Sequence, residues 1–553
     1  MFNNKAGLIS GLLVVLSVSQ PVSGNELVLT AARDGDTASL KSLINNGADV
    51  NATRADGFSA LAQAIFYGNN PEAVDILISS GANVNTADDY GVTPLHLACM
   101  NQDVTSITKL LAVGADPNKA RLTGETPLMS CANLGVTEGV KALIKHGADL
   151  EAKENREDQT ALMWAAAEGH TEVVKVLVAN RADVHARSKT VPAPKPHIVT
   201  MPEALSVWKS NYPATVRFPE ISGGFTALHF VAQQGSVESA RILLDAGSDI
   251  DAPHKEHGSP LLIAIASGHE QLALFLLEKG ADPNIKDGWG ISPLHYAIHK
   301  GVLILNGHKP VKTDKFGWDR QNMPELVAAL LDRGADPNAK IGFEFPYLDD
   351  PFLARGDSVP AITTPVGATP LLAAAASGDI ELMQLLEEAS DPAITTISGA
   401  SLFMIAAGVG SERGVRKQDE AIKAARLALA LGGGNVNDRL TDRAPGGPAK
   451  GKEDGRTVLH FAAYFGWTDM IRFLAENGAN LDVEDRYGMT PLMIALGDPE
   501  GRYYRQVGDS NEDHRYRKTG AFPGNGANME VAELLLELGA KPFTGKVRDT
   551  SGL

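Results

Sequence analysis

A four-residue phrase that returns with a fixed period constrains this chain more than any other feature. Thr93-Pro94-Leu95-His96 is followed by an apolar run, by Leu110-Leu111 and by Gly114-Ala115-Asp116. The phrase recurs 33 residues on, where Thr126-Pro127-Leu128-Met129 leads to Leu143-Ile144 and Gly147-Ala148-Asp149. Further copies begin at Thr160, Thr226, Ser259, Ser292, Thr369, Ser401, Thr457 and Thr490, with a less regular one at Ser59. Self-similarity of this length marks a stack of small units, each burying its apolar face only against its neighbours.

The phrase dictates its own local structure. Thr93 caps a helix through its hydroxyl, and Pro94 at the first helical position gives up no needed donor. Leu95, Ala98 and Cys99 form a narrow apolar stripe with small residues for close packing. After the polar break at Gln102-Asp103, Ile107, Leu110 and Leu111 face inward from a second helix. Gly114 supplies a left-handed cap, and Asp116-Pro117-Asn118 turns the chain outward. Arg181 and Ala389 stand where other units have this glycine, which puts the left-handed turn in doubt at those two places.

The repeated residues resemble the ankyrin-repeat family. The likeness includes Thr226-Ala227-Leu228-His229, Ser292-Pro293-Leu294-His295, Thr457-Val458-Leu459-His460 and Gly280-Ala281-Asp282-Pro283-Asn284. It implies an all-α solenoid of helix–turn–helix units with β-hairpin finger loops, and a concave recognition face. Twelve second-helix endings, near Gly47, Gly81, Gly114, Gly147, Arg181, Gly247, Gly280, Gly334, Ala389, Gly433, Gly478 and Gly539, predict about 12 repeats with several long insertions. The expected layout is a signal peptide over 1–24, a first repeat block over 25–188 and a Pro-rich insertion over 189–224. A middle block over 225–340, an insertion over 341–366 and repeats over 367–439 follow. A flexible linker over 440–454, repeats over 455–543 with an insertion at 498–528, and a tail over 544–553 complete it. Residues 306–322 interrupt one further unit between its helices.

Lys5, the apolar run from Leu8 to Val18 and the small residues Val22-Ser23-Gly24 have the form of an export signal. Cleavage is expected after Gly24, leaving a periplasmic or secreted chain without a membrane anchor. The net charge of -17 argues against nucleic acid as partner, because phosphate neutralisation needs clustered Lys and Arg. The two cysteines, Cys99 and Cys131, lie one position apart in register on first helices of adjacent units. Packed helix axes about 8–10 Å apart exceed the roughly 7 Å Cα separation that a disulfide tolerates, so both thiols are expected to be free.

Chemistry is scarce. His295 and His299 have the i, i+4 spacing of a zinc pair, but Tyr296 stands where a hydrolytic site needs Glu, and His295 fills the ankyrin histidine position. His254, Glu256 and His257 cluster on one finger tip and read as solvated turn residues. Asp509 to Asp513 opens like a calcium loop but meets His514 and Gly520 where Gly and Glu belong. The stretch Gly408–Gly414 follows a helix rather than a strand, so it is no dinucleotide fingerprint. No cofactor, no metal and no enzymatic activity are expected.

The family resemblance places contacts at finger tips and at the exposed end of each first helix. On this sequence those positions include Phe66, Tyr67, Tyr90, Met100, Trp289, His299, Tyr464, Phe465 and Tyr487, an aromatic-rich set suited to binding hot spots. Tyr464 and Phe465 read as surplus to the core, because Ala462 and Ala463 already supply the packing stripe. The expected function is an exported, monomeric scaffold that binds a partner protein through its concave groove. Two alternatives stand beside it. One is an enzyme or ligand receptor with a site built by the insertions, with Asp319, Arg320, Arg502, Arg505 and His514 as its titratable groups. The other is a secreted effector that binds host proteins.

Overall fold

Hydroxyl caps set the helix starts. Ser59, Thr93, Thr126, Thr160, Ser259, Ser292, Thr369, Ser401 and Thr490 each accept a hydrogen bond from the backbone N–H three residues on, and proline follows directly in several of them. The structure, a computed structural model, describes residues 24–192, 221–302, 321–342, 366–440, 455–497 and 528–544, apart from 69, 256, 289, 299, 301, 397–398, 410–415 and 486–487. The expected signal peptide and most of the insertions therefore lie outside the described residues, as do Asp319, Arg320, Arg502, Arg505 and His514.

Backbone contacts group the chain into two compact units, Met1–Asp183 and Val184–Leu553. Each is a succession of antiparallel helix pairs, as in Pro94–Met100 with Val104–Ala112 and Pro127–Asn133 with Thr137–Lys145. Within a unit, first helices pack on first helices and second on second. The core is accordingly a continuous strip of alanine and leucine, with Leu95, Ala98, Leu128, Ala132, Leu162 and Ala165 all at 1% exposure or less. Among the described residues the departures from the all-α design are small: Val191–Pro192 pairs antiparallel with Ile221–Ser222, and single bridges join Thr53 to Ser59 and His254 to Gly258. Backbone bonds such as Asp88 N–H to Val92 O and Arg121 N–H to Glu125 O, at 3.1 and 2.9 Å, help close the fingers.

Two side-chain ladders join neighbouring units. After most second helices, an Asn or acid spans to the next copy of the same turn. Asn85 accepts from Asp116 N–H at 2.7 Å and donates to Gly114 O at 3.0 Å. Asn118 does the same with Asp149 and Gly147, and Asn437 with Asn480 and Gly478. At the turn between helices, His170 and His269 donate Nε2–H to Asn133 O and Gln233 O, both at 2.9 Å.

The doubt over the missing glycines resolves differently at the two sites. Arg181 adopts the left-handed conformation regardless, at φ 70°, because the ladder register demands it; a residue with a Cβ is strained there. Ala389 does not, and the chain turns instead through Ala389 and Ser390 N–H groups that both reach Leu386 O.

The cysteines correct the sequence expectation. Cys99 and Cys131 form a disulfide, with Cα atoms 4.8 Å apart. Axis separation was the wrong measure: Cα atoms on facing sides each stand about 2.3 Å off their axes, so facing residues of close-packed helices come well inside the bridging limit. Ala98 and Ala132, both fully buried, permit that approach. Gly139, in the helix Thr137–Lys145, completes the fit, since a Cβ there would meet Cys131 Sγ and Ile107 Cδ1, each at 2.9 Å. Replacing a helical Gly by Ala ordinarily stabilises by about 1 kcal/mol. Gly139→Ala is instead expected to destabilise by about 1–3 kcal/mol through overpacking, read as a lowered urea midpoint.

Candidate protein-binding surface

The fold divides the expected contact residues sharply. Phe66 and Tyr67 end the helix Ala60–Tyr67, which Gly68 stops in a left-handed cap. They stay 47% and 44% exposed. Phe66 meets Tyr67 edge-on at 5.1 Å and Phe58 of the preceding finger at 5.9 Å. Arg54 lies 5.7 Å over the Phe58 ring while its guanidinium pairs with Asp56 at 2.9 Å. Arg33 lies near Tyr67 and pairs with Asp34.

The next unit continues the surface. Met100, 45% exposed, ends the helix Pro94–Met100, and Asn101 beside it donates to Ile65 O and Phe66 O at 2.6 and 3.1 Å. Those bonds fix the two helix ends side by side. Tyr90, 70% exposed, tips the finger that Asp88 holds by accepting from Tyr90 and Val92 N–H groups. Tyr90 O accepts from Leu122 N–H at 3.0 Å, so the following finger tip stands directly alongside. Leu122 is 71% exposed and was missed by sequence reasoning. Its register with Tyr90 in the neighbouring finger was the available signal.

Phe66, Tyr67, Tyr90, Met100 and Leu122 thus all lie on neighbouring repeats of the first unit. The other exposed large apolar side chains among the described residues, Leu27, Val113, Leu385, Met529 and Leu536, are scattered over other helices. Exposed aromatics and Met on adjacent repeats, with ion-paired Arg beside them, have the composition of a protein-binding site.

In the second unit the expectation fails for Phe465. It is 9% exposed, with the tilted rings of Trp467 and Tyr464 at 5.1 and 5.4 Å, and Tyr464 is itself half-buried. Trp467 occupies the turn position held by Asp103, Ser236 and Asp379 in other repeats, and its ring lies against Phe465. Phe465 is therefore part of the core, with Tyr464 at its edge. Trp289, His299 and Tyr487 lie outside the described residues.

The histidines serve structure. His96 Nδ1 accepts from Thr93 while Nε2–H donates to Glu125 O at 3.1 Å. His295 is held alike by Ser292 and by Ala368 O, so neither nitrogen is open to a metal. His254 donates Nε2–H to Gly223 O at 2.7 Å and accepts from His257 N–H, with Phe225 stacked on its ring at 4.4 Å. Among the described residues no cluster of ligating side chains is arranged to hold a metal, and no helix is long and apolar enough to cross a membrane.

These repeats define the class. A family model for ankyrin repeats matches residues 28–121, 101–188, 211–287 and 423–502, more than half of the chain, and the chain belongs to the ankyrin-repeat family. It is 29% identical to mouse Ankyrin repeat and SOCS box protein 16 over 56% of this chain and 52% of that protein. It is 27% identical to the Arabidopsis thaliana E3 ubiquitin-protein ligase KEG over 52% of this chain and 18% of that protein. Human Rabankyrin-5 matches at 26% over 54% of this chain and 21% of its own length. The chain thus spans about half or less of the length of these relatives. Ankyrin repeats mediate protein–protein binding.

Proposed function

We propose that this chain is an exported ankyrin scaffold that captures a partner protein through the exposed apolar residues Phe66, Tyr67, Tyr90, Met100 and Leu122. The observation that carries the site is the concentration of exposed aromatics and Met on three adjacent repeats. Large apolar side chains held in water by a rigid frame lose little entropy on binding and gain their full burial. Export is supported by the N-terminal pattern and by the Cys99–Cys131 bond, since structural disulfides persist in oxidising compartments and are rare where thiols are kept reduced. The working species is a monomer whose partner is a protein.

The test is a double substitution, Phe66→Ala with Tyr67→Ala. Both rings are half in solvent, so the thermal midpoint is expected to stay nearly fixed. Affinity for the partner isolated with the wild-type chain is expected to fall by at least about 2 kcal/mol, roughly 30-fold. Unchanged affinity in a folded variant would place the contact elsewhere. Export is read separately: the purified chain is expected to begin near Asn25, and Met1 on cytoplasmic protein would refute it.

A further inference from the structure

Both sulfurs of the disulfide are sealed: Cys99 and Cys131 are 0% exposed, beneath the two packed first helices and against Ile107 and Gly139 of the second-helix layer. A disulfide-exchange reaction requires a thiolate to approach the target sulfur in line, and a donor protein is far too large to enter this layer. The thiols are therefore reachable only while these two repeats are apart.

We propose that Cys99–Cys131 is installed by an external disulfide donor before the repeats starting at Thr93 and Thr126 pack together, so that oxidation precedes burial in the maturation of the partner-binding surface. One chain thiolate attacks a donor sulfur; the donor S–S bond breaks and its other sulfur leaves as a thiolate. The second chain thiolate then attacks the sulfur of the first cysteine in this mixed disulfide, displacing the remaining donor sulfur. The chain loses two electrons and two protons, and the donor leaves as a dithiol.

The position of the bond links it to binding. Cys99 immediately precedes Met100, and Asn101 beyond it ties this helix end to Phe66. The bond ties the helix bearing Met100 to that of the next repeat, whose finger carries Leu122. A supply of donor disulfide is what export provides, so the proposal rests on that reading for its source of oxidant. Its geometric core stands apart from it.

The experiment uses the full mature chain, reduced in urea. One portion is oxidised with glutathione disulfide while still in urea; the other is first returned to buffer, its helicity is checked by circular dichroism, and it is then oxidised under the same pH. Mass spectrometry of alkylated samples reads the rate of bond formation. The refolded portion is expected to oxidise at least about 100-fold more slowly than the unfolded one, because only locally opened molecules react. If the reduced portion fails to regain native helicity, the bond is required before folding, which is the same order by a stronger route. Native helicity together with equal oxidation rates would overturn the proposal. Localisation and N-terminal sequencing score the export reading independently, so a cytoplasmic chain that still shows the rate difference would refute only the source of the oxidant.

Discussion

Between pH 7 and pH 4 each unit is expected to lose stability through its buried histidines, by about 3 kcal/mol for each of His96 and His295. Burial pushes both down to about 4 from an ordinary value of 6.5, although the Glu125 and Ala368 carbonyls favour the protonated rings and offset part of that penalty. His229 is pushed further, to about 3, again by burial first and then by the neighbouring His254 and Arg187. The folded chain holds these rings neutral and the unfolded chain protonates them near 6.5. The stabilisation is thus complete above about pH 6.5 and is lost as pH falls toward 4. Protonating Nδ1 also removes the acceptor that Thr93, Ser292 and Thr226 use. Urea midpoints at pH 7, 5.5 and 4 read the effect. The chain supplies its own control: Met129, Met163, Met404 and Met493 fill the same helical position as these histidines. His96→Met is expected to flatten the acid slope of the first unit by about 3 kcal/mol, at a cost near 1 kcal/mol at neutral pH from the lost bond to Glu125. An acid slope identical to wild type would contradict the assignment.

Arg456→Met is expected to cost the second unit about 3–5 kcal/mol. Arg456 Nε donates to Asp485 Oδ2 at 3.2 Å with both side chains almost wholly shielded, at 4% and 1% exposure. Asp485 in turn holds its finger by accepting from Met489 N–H at 2.9 Å. Removing the cation strands a buried carboxylate, whereas removing both charges does not. Arg456→Met combined with Asp485→Asn, in which the amide oxygen can still serve Met489, is expected to recover most of the loss. A double variant as unstable as the sum of the singles would mean the two charges do not act as a pair.

The repeating frame was legible because its signals are local. A hydroxyl before proline, alanines at helical spacing and glycine after the second helix each act within a few residues, and the structure places caps and turns where those residues fall. Two things were not legible for lack of local cause. The Cys99–Cys131 bond depends on how closely two helices approach, which Ala98, Ala132 and Gly139 decide jointly from two different repeats. The burial of Phe465 depends on Trp467 folding back from the next turn. Phe66, Tyr67, Tyr90 and Met100 were legible as exposed because finger tips and first-helix ends lie beyond the stripe of small residues that packs the repeats together. Leu122 escaped notice because a single aliphatic residue in a finger carries no aromatic flag.

The bonds that close the inter-helix turn bear on how such a chain can change over time. In an uninterrupted unit the closing bond runs from Asp103 N–H to Ala98 O or from Trp467 N–H to Ala462 O, both at 2.9 Å. Where long segments intervene, the same bond forms from Met323 N–H to Ala297 O at 2.9 Å and from Asn528 N–H to Ala495 O at 2.7 Å. The Asn284 ladder likewise reaches Gly334 and Asp336 across the first of these segments. Closure entropy grows only slowly with loop length, each doubling costing about 0.6 kcal/mol. The frame therefore registers by spatial neighbour and is nearly indifferent to how much chain is paid out between its contacts. New surface can be spliced into such a scaffold, lengthened or trimmed, while the stack beneath keeps its alignment, which lets recognition diversify without renegotiating the fold.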